Sequence, residues 1–270
     1  MSAGDVLLEV RDLRKTFRVQ DAAGGWGDFV AVDDASFVIP RRGSLAVVGE
    51  SGSGKTTTAR IIAGLEERTS GTIILNGREW TASSSLKARR SHARHVQMVF
   101  QDPFGSLDPR QTLGEGLEEV LVLHNPRQSR AWRRSRSVEV FEMVGLDSSH
   151  LAKRPRSLSG GQRQRYAIGR ALALEPELLI LDEAVSALDV SVQAQILNLL
   201  IDLREEVGVS YFFVSHDLAV VRQVSDSVIV MRNGVIVESG PTASVMDAPQ
   251  NDYTKRLLAA IPSPEWQQTA

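Results

Sequence analysis

The stretch Gly49-Glu50-Ser51-Gly52-Ser53-Gly54-Lys55-Thr56-Thr57 decides how the rest of the chain is read. It fits G-x-x-x-x-G-K-[ST], a phosphate-binding loop. Leu45-Ala46-Val47-Val48 before it is a short apolar run suited to a buried strand. Thr58-Ala59-Arg60-Ile61-Ile62-Ala63 after it suits a helix, and Gly64 stands where a left-handed cap would end that helix. Glycines at 49, 52 and 54 let the backbone curl so that N–H groups point at phosphate oxygens. The following helix N-terminus adds partial positive charge. Lys55 is expected to reach the β- and γ-phosphates, and the Thr56 hydroxyl to ligate Mg²⁺.

Outward from the loop, Val6–Leu13 reads as a first strand, Asp21–Asp28 as a Gly/Asp-rich loop and Ala35–Ile39 as a second strand. Gly71–Leu75 followed by Asn76-Gly77 reads as a strand and tight turn. From Leu86 to about Arg156 basic residues cluster around helical segments near Leu113–Val122 and Ser135–Val144. Acidic neighbours such as Glu115, Glu118, Glu119 and Glu142 and the scarcity of aromatics favour a solvated helical face over a nucleic-acid surface. Strand–helix alternation then resumes. Leu178–Leu181, Tyr211–Val214, Val228–Met231 and Val235–Val237 are strands, Ser191–Val207 and Leu218–Val224 are helices, and Asn233-Gly234 is a hairpin turn. Thr242–Ala260 reads as helical around Pro249, with a frayed tail at Ile261–Ala270. The pattern predicts an α/β fold: a parallel-sheet core with an antiparallel β layer near the N-terminus.

In an open parallel sheet, ligands bind beyond the carboxyl ends of the strands. That rule brings Asp182 and Glu183, which end an apolar strand, beside the phosphate loop. Asp182 is expected to hold Mg²⁺ and Glu183 to polarise an attacking water as general base. Gln101 follows the strand Val96–Phe100 and is a candidate contact to Mg²⁺ or water. His216 follows Tyr211–Val214 and is expected within reach of the γ-phosphate.

Composition bounds the rest. The 270 residues include no cysteine, which excludes disulfides and cysteine-ligated iron–sulfur clusters. Net charge is −2, so whole-chain charge points to neither a polyanion partner nor a charged membrane surface. No apolar run approaches the roughly 18–20 residues that span a bilayer. The first residues, Met1-Ser2-Ala3-Gly4-Asp5, lack a basic segment followed by an apolar one, so no signal peptide is expected.

Leu158-Ser159-Gly160-Gly161-Gln162 forms a second anion-binding helix start, with a hydroxyl, exposed N–H groups and a helix beginning near Gln162. As a pentapeptide in this order it resembles the signature of ATP-binding cassette (ABC) ATPases. With the phosphate loop, Gln101, Asp182-Glu183, Ser186-Ala187-Leu188-Asp189 and His216 in family order, the resemblance covers nearly the whole chain. It implies a P-loop NTPase (RecA-like) core at 1–100 and 157–240, a helical insert subdomain at about 101–156 and a C-terminal extension at 241–270, all one nucleotide-binding domain. Carried over, Gln101 looks like the Q-loop glutamine, Asp182 the Mg²⁺ carboxylate, Glu183 the catalytic base, Asp189 the D-loop aspartate and His216 the switch histidine. Gly49, Glu50, Ser51, Gly52, Ser53, Gly54, Lys55, Thr56 and Thr57 would bind ATP. Phe17 lies in the region that stacks on adenine, with Trp26 and Phe29 as alternatives. In the family, Ser159, Gly160, Gly161 and Gln162 contact the ATP held by a second subunit.

Gly49–Lys55, Val99–Arg110, Ala187–Leu200 and Asp252–Leu258 are closer still to the dipeptide/oligopeptide/nickel importer ATPases. That likeness implies a peripheral subunit at the cytoplasmic face of the membrane. It would pair with a second ATPase subunit, homologous or identical, and two transmembrane permease subunits, and would serve an extracytoplasmic solute-binding protein. The expected cofactors are ATP and Mg²⁺, with no iron–sulfur cluster and no nucleic acid. Di- or oligopeptides are the expected solute, with nickel, glutathione or another solute as alternatives. A soluble ABC ATPase acting on ribosomes or DNA is the alternative of another class. Ala184 departs from the family pattern, standing where proline is common.

Overall fold

The computed structural model describes residues 5–20, 24–81, 85–102, 105 and 107–260. The chain starts as a long antiparallel hairpin, β1 (Val6–Gln20) and β2 (Trp26–Pro40), and then enters the buried strand β3 (Ser44–Val48) and helix α1 (Lys55–Ile62). A second hairpin, β4 (Ser70–Leu75) and β5 (Arg78–Trp80), leads through α2 (Leu86–His95) to β6 (Val96–Val99). Helices α3 (Leu113–His124) and α4 (Arg130–Met143) precede α5 (Gly160–Leu172). Then come β7 (Leu178–Asp182), α6 (Val190–Val207), β8 (Ser210–Val214), α7 (Leu218–Val224) and the hairpin β9 (Ser227–Arg232) and β10 (Val235–Pro241). Two short helices, α8 (Thr242–Asp247) and α9 (Asp252–Ala259), close the described chain.

The strands form two sheets, one in the order β2-β1-β4-β5 and one in the order β10-β9-β3-β8-β7-β6. The first is antiparallel. In the second, β9, β3, β8, β7 and β6 run parallel and β10 pairs antiparallel at the edge. β3, β7 and β8 are buried at every residue, which is why they read as unbroken apolar runs rather than alternating ones. Because the parallel strands share a direction, the segments after β3, β6, β7 and β8 emerge along one edge of the sheet.

One apolar cluster runs from the helices α3–α5 (Leu117, Leu121, Val140, Phe141, Tyr166, Ile168) into β7 and α6 (Leu181, Ile196, Leu200, Leu203). The helical insert therefore shares a core with the sheet. Within it, Phe141 and Tyr166 meet edge-on with ring centroids 5.9 Å apart. A second cluster joins the antiparallel sheet to β3 and α1 through Leu8, Val10, Ile39, Val47, Ile61 and Ile73.

The first hairpin departs from the sequence expectation. Trp26, Gly27 and Asp28 belong to β2, and β1 continues past Leu13 to Gln20, with Gln20 paired to Trp26. Asp21–Ala23, also read as loop, and the tail at 261–270 lie outside the described residues, as do Pro103, Phe104 and Ser106 of the Gln101 segment. Register shifts at Val10/Leu13 and Leu13/Lys15 break the period-2 pattern, and the outer ribbon is largely exposed, so it carries no apolar alternation. The basic stretch is partly internal. Arg136 is buried, pairs with Glu139 and Glu175 at 2.7 and 3.2 Å, and donates to the carbonyls of Leu172 and Ala173. Arg133 pairs with Glu118 at 3.4 Å.

Candidate functional site: a phosphate-binding cleft

The loop between β3 and α1 is pressed against two other segments. A Cβ on Gly49 would lie 2.1 Å from the Met231 carbonyl oxygen, and one on Gly54 would lie 2.4 Å from that of Ala31. Both glycines also have positive φ, +148° and +104°. No other residue fits at either point. The β9–β10 turn clamps the loop from outside, with the Gly234 N–H donating to the Ser53 carbonyl at 3.1 Å. Gly54 caps α1 without any side-chain hydrogen bond, so the first N–H groups of the helix keep no side-chain partner there.

Lys55 is buried under the loop. Its ammonium donates to the carbonyls of Gly49 and Glu50, both at 2.8 Å, and to Ser53 Oγ at 3.5 Å. Burial pulls its pKa down, opposed by the nearby carboxylates of Glu183, Asp182 and Glu50. A desolvated cation beside a concave backbone is poised for a phosphate. The Thr56 hydroxyl donates to Asp182 Oδ1 at 3.2 Å. Burial raises the Asp182 pKa and the Glu183 charge adds to it, while Thr56, Arg60 and Lys55 work the other way.

Glu183 stands where β7 ends, at φ +49°, a conformation rare for a non-glycine residue. Its own N–H donates to the Val214 carbonyl at 3.0 Å, and its carbonyl accepts from the N–H and hydroxyl of Ser186 at 3.1 and 2.9 Å. Those bonds hold the turn. The side chain accepts from Gln101 Nε2 at 2.9 Å through one oxygen, and His216 Nδ1 lies 3.4 Å from the other. The loop, Gln101, Glu183 and His216 line one cleft of about 660 Å³, together with Phe17, Phe29, Ala31 and Leu257. The sequence-derived residues from four strand ends thus meet on one sheet edge.

Of the three candidate aromatics, Phe17 and Phe29 reach the cleft; they face each other across β1 and β2. The Lys15 ammonium sits 4.5 Å from the Phe17 ring centroid. Trp26 is 64% exposed and does not line the cleft. Ser159, Gly160, Gly161 and Gln162 are not in the cleft either. Ser159 caps α5, which starts at Gly160 rather than near Gln162. Ser159 Oγ accepts from the Gln162 N–H at 3.3 Å, and Gln162 Oε1 accepts from the Ser159 N–H at 3.0 Å. Gly161 packs on Val192, where a Cβ would come within 2.5 Å of Cγ1. Asp189 caps α6, accepting from the Val192 N–H at 2.9 Å and the Ser191 hydroxyl at 2.7 Å, which hold its pKa down. Two residues near the site escaped the sequence reading: Leu257, which lines the cleft, and Tyr253, whose hydroxyl accepts from the Glu50 N–H of the loop at 3.1 Å.

A family model described as "ABC transporter" matches residues 32–186. The oligopeptide transport ATP-binding protein OppF of Bacillus subtilis is 43% identical over 259 residues, covering 96% of this chain and 83% of that protein. This chain belongs to the ABC transporter ATPases. The glutathione import ATP-binding protein GsiA of Salmonella paratyphi A is 46% identical over 261 residues, but the chain spans 42% of its length. Among solved ABC ATPases, a dimeric cassette in a post-hydrolysis state with ADP and Pi superposes with TM-score 0.77 at 28% identity, over 87% of this chain and 99% of that one. CbiO1 of Clostridium perfringens, part of the ABC transporter complex cbiONQ, gives TM-score 0.78 at 26% identity, over 90% and 92%. The P-loop NTPase fold expected from the sequence is the fold observed, and nucleotide binding follows from the family. No helix among the described residues is long and apolar enough to cross a membrane.

Proposed function

We propose that this chain is the ATP-hydrolysing subunit of a binding-protein-dependent importer, bound to the cytoplasmic face of the membrane through two permease subunits. The observation that carries the reading is the Glu183 carboxylate, braced by Gln101 and His216 at the mouth of a cleft whose floor is the Lys55 loop. The loop N–H groups and Lys55 bind the phosphates of ATP, and Phe17 or Phe29 carries the adenine. Glu183 takes the proton of the attacking water as general base, while Gln101 and His216 orient its carboxylate.

The residues present suit Mg²⁺. Thr56 and Asp182 offer two hard oxygen donors already 3.2 Å apart, and no cluster of three or more acidic, histidine or cysteine side chains forms a complete cage among the described residues. That is the donor set of an ion shared with nucleotide phosphates. Thr56, Asp182 and Gln101 would hold it, and it would supply neutralisation of charge on the phosphates. The Ser159–Gln162 helix start supplies N–H groups to ATP on a second ATPase subunit, with Asp189 beside it. ATP then joins the two subunits, and hydrolysis releases them. The helical insert (about 101–156), which interrupts the core (1–100 and 157–240), passes that closure to the permease, and the C-terminal extension (241–270) follows the core.

Di- or oligopeptides are the solute best supported, through the likeness to the oligopeptide transport protein, with glutathione next. The test is to purify the full chain with its membrane partners and identify by mass spectrometry the ligand on the associated binding protein. Peptides are expected. ATP-dependent recovery with ribosomes or DNA, and no permease, would overturn the reading.

A further inference from the structure

The C-terminal helix α9 reaches back to the phosphate loop, and the contact is specific. Glu238 on β10 accepts from the N–H groups of Gln250 and Asn251 at 2.7 and 3.2 Å, and Asn251 Oδ1 caps α9 through the Tyr253 N–H at 2.8 Å. These bonds set the helix against the sheet. Tyr253 is then 5% exposed, packed in the cluster that includes Val48, Val230 and Val245, with the Arg232 guanidinium 5.0 Å from its ring centroid. Its hydroxyl accepts from the Glu50 N–H at 3.1 Å. One turn on and on the same helix face, Leu257 lines the cleft.

The Glu50 N–H and the Gly49 carbonyl belong to the same planar peptide unit. That carbonyl accepts from the Lys55 ammonium at 2.8 Å. The peptide is therefore held at both ends, by Lys55 on one side and Tyr253 on the other. Rotating it to break one bond breaks the other. We propose that Tyr253 is a positioning residue for Lys55: it fixes the Gly49–Glu50 peptide, and so the C-terminal helix sets the affinity of the loop for phosphate. This rests on the reading of the loop as the ATP site.

The test is equilibrium nucleotide binding by the full chain. Tyr253→Phe keeps the ring in its apolar cluster and removes only the acceptor. It is expected to weaken MgATP binding about five- to tenfold, the scale of one lost hydrogen bond. AMP, which has no β- or γ-phosphate for Lys55 to reach, is expected to bind within about twofold of wild type by the same argument. In a Lys55→Ala background, Tyr253→Phe is expected to change MgATP affinity no further, since the two residues act through one peptide. Equal losses in both backgrounds, or equal losses for MgATP and AMP, would overturn the positioning role. Undiminished MgATP binding by Lys55→Ala would overturn the ATP-site reading instead. A measurement free of substitutions stands beside these. Amide exchange at Glu50 in the unmodified chain is expected to be slowed, and exchange at an open-loop rate would overturn the bond itself.

Discussion

The starts of α1 and α5 are both glycine-led helix N-termini, and they differ in how their N–H groups are treated. At α1, Gly54 provides no side-chain cap, and the surrounding side chains are a buried lysine and the carboxylates of Glu50, Asp182 and Glu183. At α5, Ser159 and Gln162 close a capping box on each other. The first end is built into a cleft with floor, walls and acid–base groups of its own. The second is exposed at Ser159, has two of its N–H groups, those of Ser159 and Gln162, met by its own side chains, and lies outside that cleft. A helix end without a cap inside a cleft is a site awaiting an anion. A capped end on the surface becomes one only when another molecule brings the anion. On the proposed reading one chain carries two unlike halves of a shared site, and the sharpest experiments act on each half separately.

The largest effect is expected at the first half. Glu183→Gln keeps the size of the side chain and removes its ability to take a proton. Turnover is expected to fall by roughly 10²-fold or more, as for loss of a general base, while equilibrium MgATP binding stays near wild type. A correctly folded Glu183→Gln chain with near-normal hydrolysis would mean that α1 and its carboxylates bind without catalysing, and the contrast between the halves would lose its chemical content.

The second half gives a smaller and differently placed effect. Ser159→Arg, in this chain alone, is expected to lower hydrolysis-dependent nucleotide trapping on the partner ATPase by about tenfold or more, in line with loss of hydrogen-bond donors to a transferring phosphoryl group. MgATP binding at this chain's own loop is expected to be unchanged. The opposite distribution, with damage at the chain's own loop, would make α5 part of a private site.

How much of this was legible before the structure follows from range. The phosphate loop, β3, β7 and β8 carry their signals within a few residues: glycines at fixed spacing, or apolar runs that only a fully buried strand explains. Once the strands are parallel, placing Gln101, Glu183 and His216 on one edge follows from strand direction alone. The outer part of the β1–β2 hairpin was not legible, because exposed ribbon needs no apolar alternation and its Gly27 and Asp28 read as loop. Nor was α2, whose one buried residue, His92, stacks on Trp80 with ring centroids 4.1 Å apart and gives no helical period. The bond from Glu50 to Tyr253 joins residues far apart in sequence, and no local pattern encodes it.

The smallest expected effect concerns the aromatic wall of the first half, where sequence left Phe17, Trp26 and Phe29 open. The structure brings Phe17 and Phe29 into the cleft and leaves Trp26 exposed outside it. Phe17 sits under the Lys15 ammonium, which is itself tied to the Glu66 carboxylate and the Glu67 carbonyl, both at 2.7 Å. That ring is the more restrained of the pair, and a ring already ordered loses less freedom when a base stacks on it. Phe17→Ala is therefore expected to weaken MgATP binding by about tenfold, the scale of one lost base–aromatic stack. Trp26→Ala, three strand residues beyond the last contact, Phe29, is expected to stay within about twofold by the same scale. Competition against a triphosphate with a different base separates stacking from collapse of the hairpin. Stacking loss follows the base, whereas a collapsed β1–β2 ribbon would also disturb Ala31, against which Gly54 packs, and would weaken every triphosphate alike.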